Sequence, residues 1–233
     1  MPCTLPASLA DAAVCRGSFH AVLGGEVEDT AFADFSAALQ KAQAEGRILT
    51  ASLFRYENHL FFYAEGLNRP FTPQGLCPAL DAALLPWPPA LSEAEPRPWA
   101  AMQPYFYHDV PTTAADWQQG RCPQRRRGRI ALLPPDSWCS YMEHHLRIVT
   151  EGLVEGDRWH LICVQEGVLF SYLEEPRTNV NIRHQPGAHS PELDAWIAAD
   201  PESHFARFTP EQKAHPDSGH NFVFLPRIAG TED

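Results

Sequence analysis

The sequence predicts an α+β chain: tandem ferredoxin-like repeats, each β-α-β-β-α-β, packed sheet to sheet as an intrachain α+β barrel. Three observations predict it. The segment Arg55 to Glu65 recurs at Val164 to Glu174, 109 residues later, and both copies read Glu, a short turn, then Leu-Phe-X-Tyr-X-Glu. The halves also close alike, with Tyr105-Phe106-Tyr107 ahead of Val110-Pro111 and Phe222-Val223-Phe224 ahead of Leu225-Pro226. Finally, the order of strand-like and helix-like segments is the same in both. A long unit used twice fits a pseudo-symmetric pair of small domains better than a solenoid.

In the first half, Ser18 to Leu23 has strand composition and Gly24-Gly25 ends it. Apolar residues at 32, 35, 38, 39 and 42 give helical spacing over Thr30 to Ala44. Glu45-Gly46 closes that helix, because glycine takes a left-handed cap without steric cost. Leu49 to Phe54 and Leu60 to Glu65 are apolar runs of strand length, joined through Glu57-Asn58. A Pro-rich stretch to Pro98 follows, with a short helix at Ala79 to Leu85, and Met102 to Val110 reads as the closing strand.

The second half repeats the order. Arg129 to Leu133 is a strand, and Pro134-Pro135-Asp136 opens a helix that runs to about Leu153. Proline suits a first helical turn, and an early Asp suits the positive helix end. Strands follow at Trp159 to Val164 and Val168 to Leu173, then a loop from Glu175 to Ser190. Short helices are expected at Pro191 to Ala199 and Pro201 to Phe208, and a closing strand at Asn221 to Leu225. The expected boundaries are repeat 1 at 17–111, a linker at 112–126 and repeat 2 at 127–228.

A net charge of −11 argues against nucleic acid or an anionic membrane as the main partner. Arg125-Arg126-Arg127 reads as part of a solvated linker, or as an anion contact. Six cysteines without C-x-x-C spacing, no secretory pattern and no apolar run of about 18 residues suggest a reduced cytoplasmic protein. With two sheets able to pair inside one chain, a monomer of 26.0 kDa is expected, further self-association being possible.

Tyr141 and His145 lie four residues apart, so a helix presents both on one face. A histidine and a tyrosine hydroxyl can act as base and acid on a hydroxylated substrate. The same spacing also describes an ordinary packed pair. Histidines such as His215 with His220, or His144 with His145, make no recurrent ligand pattern with Cys, Asp or Glu, so no metal is expected. Trp196, Trp159 and Trp138 read as core or cleft walls, and no phosphate loop or nucleophile elbow is present.

Residues 127 to 228 resemble the L-rhamnose mutarotase family. The resemblance rests on Arg127 before a strand, Pro135-Asp136, Tyr141 and His145, the hairpin Val168 to Glu174, and the closing Asn221 to Pro226. It implies a ferredoxin-like fold paired into a barrel, and a cofactor-free isomerase that interconverts anomers of a small free sugar such as a deoxyhexose. His145 and Tyr141 are then the proton-transfer residues. His204 and Phe205 stand where the family carries a Trp-Trp sugar platform, and so become the substrate-binding candidates. In repeat 1 the helix positions equivalent to Tyr141 and His145 are Phe35 and Leu39, which cannot transfer protons, so its site is degenerate. The alternative is a non-catalytic barrel that binds a small molecule or a partner; a cofactor-free monooxygenase is a third reading, by fold analogy alone.

Overall fold

The computed structural model describes residues 6–89, 95–152, 154–177, 183–184, 189–213 and 218–231. In chain order it begins with β1 (Val14–Val22), α1 (Asp29–Ala44), β2 (Ile48–Tyr56), β3 (His59–Leu67), α2 (Pro78–Ala82) and β4 (Ala100–Ala101). Next come β5 (Gln103–Tyr107), α3 (Ala114–Gln118), β6 (Arg125–Leu132) and α4 (Pro135–Glu151). The chain continues through β7 (Val154–Glu155), β8 (Leu161–Gln165), β9 (Val168–Glu175) and β10 (Arg183–His184). It finishes with α5 (Pro191–Ala198), β11 (Val223–Leu225) and β12 (Arg227–Gly230).

These elements form two compact units. Unit 1 is Met1–Met102 with Pro111–Pro123 and Pro226–Asp233, and unit 2 is Gln103–Val110 with Gln124–Leu225. Unit 1 holds a five-stranded sheet in the order β12-β2-β3-β1-β4, and unit 2 one in the order β11-β6-β9-β8-β5. All the pairings are antiparallel. Without its fifth strand each sheet has the ferredoxin-like order, the closing strand lying beside the first. The tandem ferredoxin-like architecture is therefore present in both units.

The closing segments differ from expectation. Residues 102–110 do not form one strand of the first sheet: Ala100 and Ala101 pair with β1, whereas β5 pairs with β8 in unit 2. The C-terminal end divides likewise, with β11 beside β6 and β12 beside β2. An outer strand left bare exposes a row of unpaired backbone groups, and these added strands satisfy them. Nor is 112–126 a plain linker. It carries α3, capped by Thr113, whose hydroxyl accepts from the Asp116 amide. Arg125 and Arg126 begin β6 and lie opposite Glu175 and Glu174. Arg125 and Arg127 both pair with Glu175, so the basic triplet is answered by carboxylates across the strand.

In unit 1, Phe32, Phe35, Leu39 and Ala42 of α1 pack on Leu53, Leu60, Phe62 and Ala64. Phe35 meets Phe62 edge to face at 5.8 Å and stacks on Trp99 at 6.3 Å. Alternate residues of β3 point the other way and are equally buried: Phe61, Tyr63 and Glu65. There the Tyr63 hydroxyl donates to Glu65 at 2.6 Å, and Arg121 donates two bonds to the same carboxylate at 2.7 and 3.0 Å. Arg16 donates to the Tyr63 oxygen and stands 5.2 Å over the Trp117 ring. Burial alone would raise the Glu65 carboxyl, but Arg121 and the bonds from Arg121 and Tyr63 hold it below its ordinary value.

Two outcomes follow for stability. Leu39→Ala empties a site with no exposure and should cost about 2–5 kcal/mol, read from denaturant midpoints. Glu65→Ala removes the carboxylate that accepts two bonds from the buried Arg121 guanidinium and should cost about 3–5 kcal/mol at pH 7. Because the folded carboxyl titrates below its unfolded value of 4.5, its contribution is full above that pH and fades as pH falls through the folded value. The difference between wild type and Glu65→Ala should therefore shrink in acid.

Candidate functional site

The second-half helix is built as its sequence predicts. Pro135 occupies the first turn of α4 with Asp136, and Gly152 ends the helix at φ +67°. Leu153, the expected end, lies outside the described residues. Tyr141, His145 and Ile148 are the buried residues of α4, at the spacing of one helix face. The rings of Tyr141 and His145 have centroids 4.2 Å apart, and Phe106 of β5 meets His145 edge-on at 4.8 Å.

Beside this face lies a cavity of about 440 Å³, entirely within unit 2. Tyr141 and His145 both line it. Trp196 of α5, Phe205 and Phe222 supply aromatic wall, while Arg129, Ser171 and Glu202 supply polar wall. Trp196 is 4.6 Å from His145 and 5.1 Å from Tyr141, and Phe205 is 5.1 Å from Tyr141, centroid to centroid. His204, expected to touch substrate with Phe205, is not on the cavity wall; its ring packs on Trp196 at 5.6 Å. The aromatic surface is thus Trp196 with Phe205. Trp138, read as core or wall, is exposed on α4, and Trp159 is half-buried.

The tautomer of His145 follows from one hydrogen bond. Its Nδ1 is 3.0 Å from the Tyr141 carbonyl oxygen, which can only accept, so Nδ1 carries the proton and Nε2 keeps its lone pair. Burial pushes the imidazole down to about 4, against the pull of that carbonyl, and His144 and His204 depress it further. His145 is neutral at physiological pH. Burial raises the Tyr141 phenol above its ordinary value, while the neighbouring Tyr105 and Arg129 act the other way. Tyr141 therefore keeps its proton, and the pair presents one acceptor and one donor.

Arg129 is the group that the sequence did not single out. It stands on β6 with its guanidinium carbon 4.4 Å from the centre of the Phe222 ring. Burial and then Arg177 lower it to about 10, with Tyr141, Tyr105 and Glu202 opposing. Alternation along β6 from the apolar Ala131 and Leu133, which face α4, would have placed 129 on the cavity side. Tyr105 and Phe106 were missed because β5 belongs by sequence to the first half.

The equivalent positions in unit 1, Phe35 and Leu39, have no exposure and fill the space beneath α1. His215 lies outside the described residues. Among the described residues no three His, Cys, Asp or Glu side chains gather as a metal site, and no helix is long and apolar enough to cross a membrane.

No family model and no curated protein matches the sequence. Among solved structures the chain is similar to a candidate monooxygenase from Lactobacillus acidophilus NCFM, with 6% identity, a TM-score of 0.41, and 94% of this chain and 96% of that one covered. A second candidate monooxygenase, from Fusobacterium nucleatum subsp. nucleatum, gives 9% identity and a TM-score of 0.39 over 94% of each chain. An anthrone oxidase-like protein gives 8% identity and a TM-score of 0.38 over 92% of each. Likenesses of this degree say nothing of a reaction, so the chemistry is read from the cavity.

Proposed function

We propose that unit 2 binds a small free sugar and interconverts its anomers, with His145 and Tyr141 moving the protons. The observation that carries the reading is the committed Nδ1–H of His145, which leaves Nε2 as an acceptor beside a protonated Tyr141 hydroxyl on one cavity wall. Anomer exchange asks for that combination. Nε2 takes the proton of the anomeric hydroxyl while Tyr141 gives its proton to the ring oxygen. The bond from the anomeric carbon to the ring oxygen breaks as the carbonyl forms. Rotation of the carbonyl and the reverse transfers close the ring on the other face and restore both residues. Trp196 and Phe205 offer apolar faces to the C–H surfaces of such a ring, in place of the expected His204-Phe205 platform.

The same depression of His145 favours a second reading, binding without turnover. An imidazole near 4 is a good acceptor but a weak base, and general-base efficiency falls with basicity. Saturation-transfer NMR separates the two. An enzyme accelerates exchange of rhamnose, fucose or a related sugar above the buffer rate; a binding protein shifts its own resonances without doing so.

If exchange is catalysed, His145→Ala should lower it by on the order of 10²-fold or more, and Tyr141→Phe should lower it too. Leu39→Ala, acting in unit 1, should leave exchange per folded molecule unchanged. The pH profile is equally specific. The basic form of His145 is present above about pH 4, so exchange should stay level from roughly pH 5 to pH 8 and fall below about pH 4. A fall centred near 6.5, where an unperturbed imidazole titrates, would remove His145 from the base role.

A further inference from the structure

We infer that the ligand of this cavity carries a carboxylate that seats against Arg129, so that within a sugar series the substrate is a uronic acid and not a neutral deoxyhexose. The choice of a sugar scaffold rests on the function proposed above; the carboxylate rests on Arg129.

The strand that holds Arg129 supplies its own comparison. Arg127, two residues earlier on the same face of β6, lies 3.6 Å over the Phe224 ring and also pairs with Glu175 at 3.0 Å. Arg129 has the equivalent aromatic partner, Phe222, and lacks the carboxylate. Among the described residues it makes no ion pair or hydrogen bond, and its Nε is shut off from solvent. The nearby Glu202 is felt only at a distance, because its carboxylate accepts from Asn221 Nδ2. Arg177, the other cation on the cavity wall, is taken by Asp157.

An inaccessible donor on a charged group without a partner is costly, and buried polar groups are almost always satisfied. A ligand oxygen cannot reach that shut-off Nε, but Arg129 itself lines the cavity, and a carboxylate seated on its terminal nitrogens would answer the charge. The planar guanidinium matches a carboxylate, whereas a phosphate dianion would call for a second free cation. His145, holding a lone pair on Nε2, asks the same ligand for a hydroxyl donor. The cavity therefore selects a hydroxy acid.

The test compares galacturonate and glucuronate with galactose, fucose and rhamnose, using calorimetry and ligand-observed NMR on the full chain at low salt. The uronates should bind about tenfold or more tightly than the neutral sugars, the scale of one charge-assisted hydrogen bond. Arg129→Gln should erase that preference without lowering the thermal midpoint, since it removes an unpaired cation, and Arg129→Lys should keep part of it. Equal binding of acidic and neutral sugars by the wild type overturns the carboxylate inference and leaves the sugar reading standing; that comparison needs no variant. If no sugar binds, mandelate and 4-hydroxybenzoate are the deciding probes. Binding of these that is lost in Arg129→Gln would sink the sugar reading and uphold the carboxylate. Absence of binding by sugars and by these acids alike overturns both.

Discussion

The site in unit 2 depends on the register between β6 and β9. Side chains alternate across a sheet, so a slip of one residue would turn Arg129 and Ala131 away from α4 and bring Gly128 and Ile130 in their place. The register is held by charge at its open end. Arg125 and Arg126 stand opposite Glu175 and Glu174, and Arg126 lies 3.6 Å from a carboxylate that also accepts the Tyr172 hydroxyl at 2.6 Å. At the other end Glu166 and Gly167, both with positive φ, close the β8–β9 hairpin in two residues. A loop that short fixes β9 against β8, and the Leu133 amide, donating to the Gly167 carbonyl at 2.8 Å, ties the end of β6 to the same turn. The start of α4 follows from the end of β6, and the positions of Tyr141 and His145 follow from both.

The same Tyr-X-Glu pair appears in unit 1, where Tyr63 donates to Glu65 and Arg121 binds the carboxylate twice. Two residues apart on a strand, the phenol and the carboxylate share a face, and this explains why the repeat preserves their spacing. In each unit the pair joins the hairpin to a basic residue on another segment. Removed from water, such a network holds one arrangement, because every alternative leaves a charge unpaired.

Identical element order has produced two different helix undersides. Beneath α1, Phe35 and Leu39 meet Phe62 and Trp99 and close the space. Beneath α4, Tyr141 and His145 occupy the corresponding turns and border a cavity of about 440 Å³. The polar groups around it are tuned by desolvation. Burial drives His145 toward its neutral form and Tyr141 toward its protonated form, and it weakens the hold of Arg129 on its own proton. A cavity with neutral acid–base groups and two arginines, of which Arg177 is paired with Asp157, is chemically suited to a hydroxylated anion.

Much of this was legible in the sequence because it is local or periodic. The duplicated hairpin, the helical spacing of Phe32, Phe35 and Leu39, the Pro135-Asp136 start and the i, i+4 pairing of Tyr141 with His145 need only short-range rules. The partners of those elements were decided by the tertiary structure. Residues 102–110 read as the closing strand of the first half, yet β5 pairs with β8 in unit 2 and β4, just before it, pairs with β1, since strand composition does not say which open edge a strand will pair. Arg125 to Arg127 look like a solvated run until Glu174 and Glu175, some 50 residues on, are brought alongside. Trp196 replaced His204 on the cavity wall, and Arg129 joined the site, through packing between elements distant in the chain. Sequence determines what each segment can form; which charges and rings meet, and which are left without a partner, is set when the segments exclude water together.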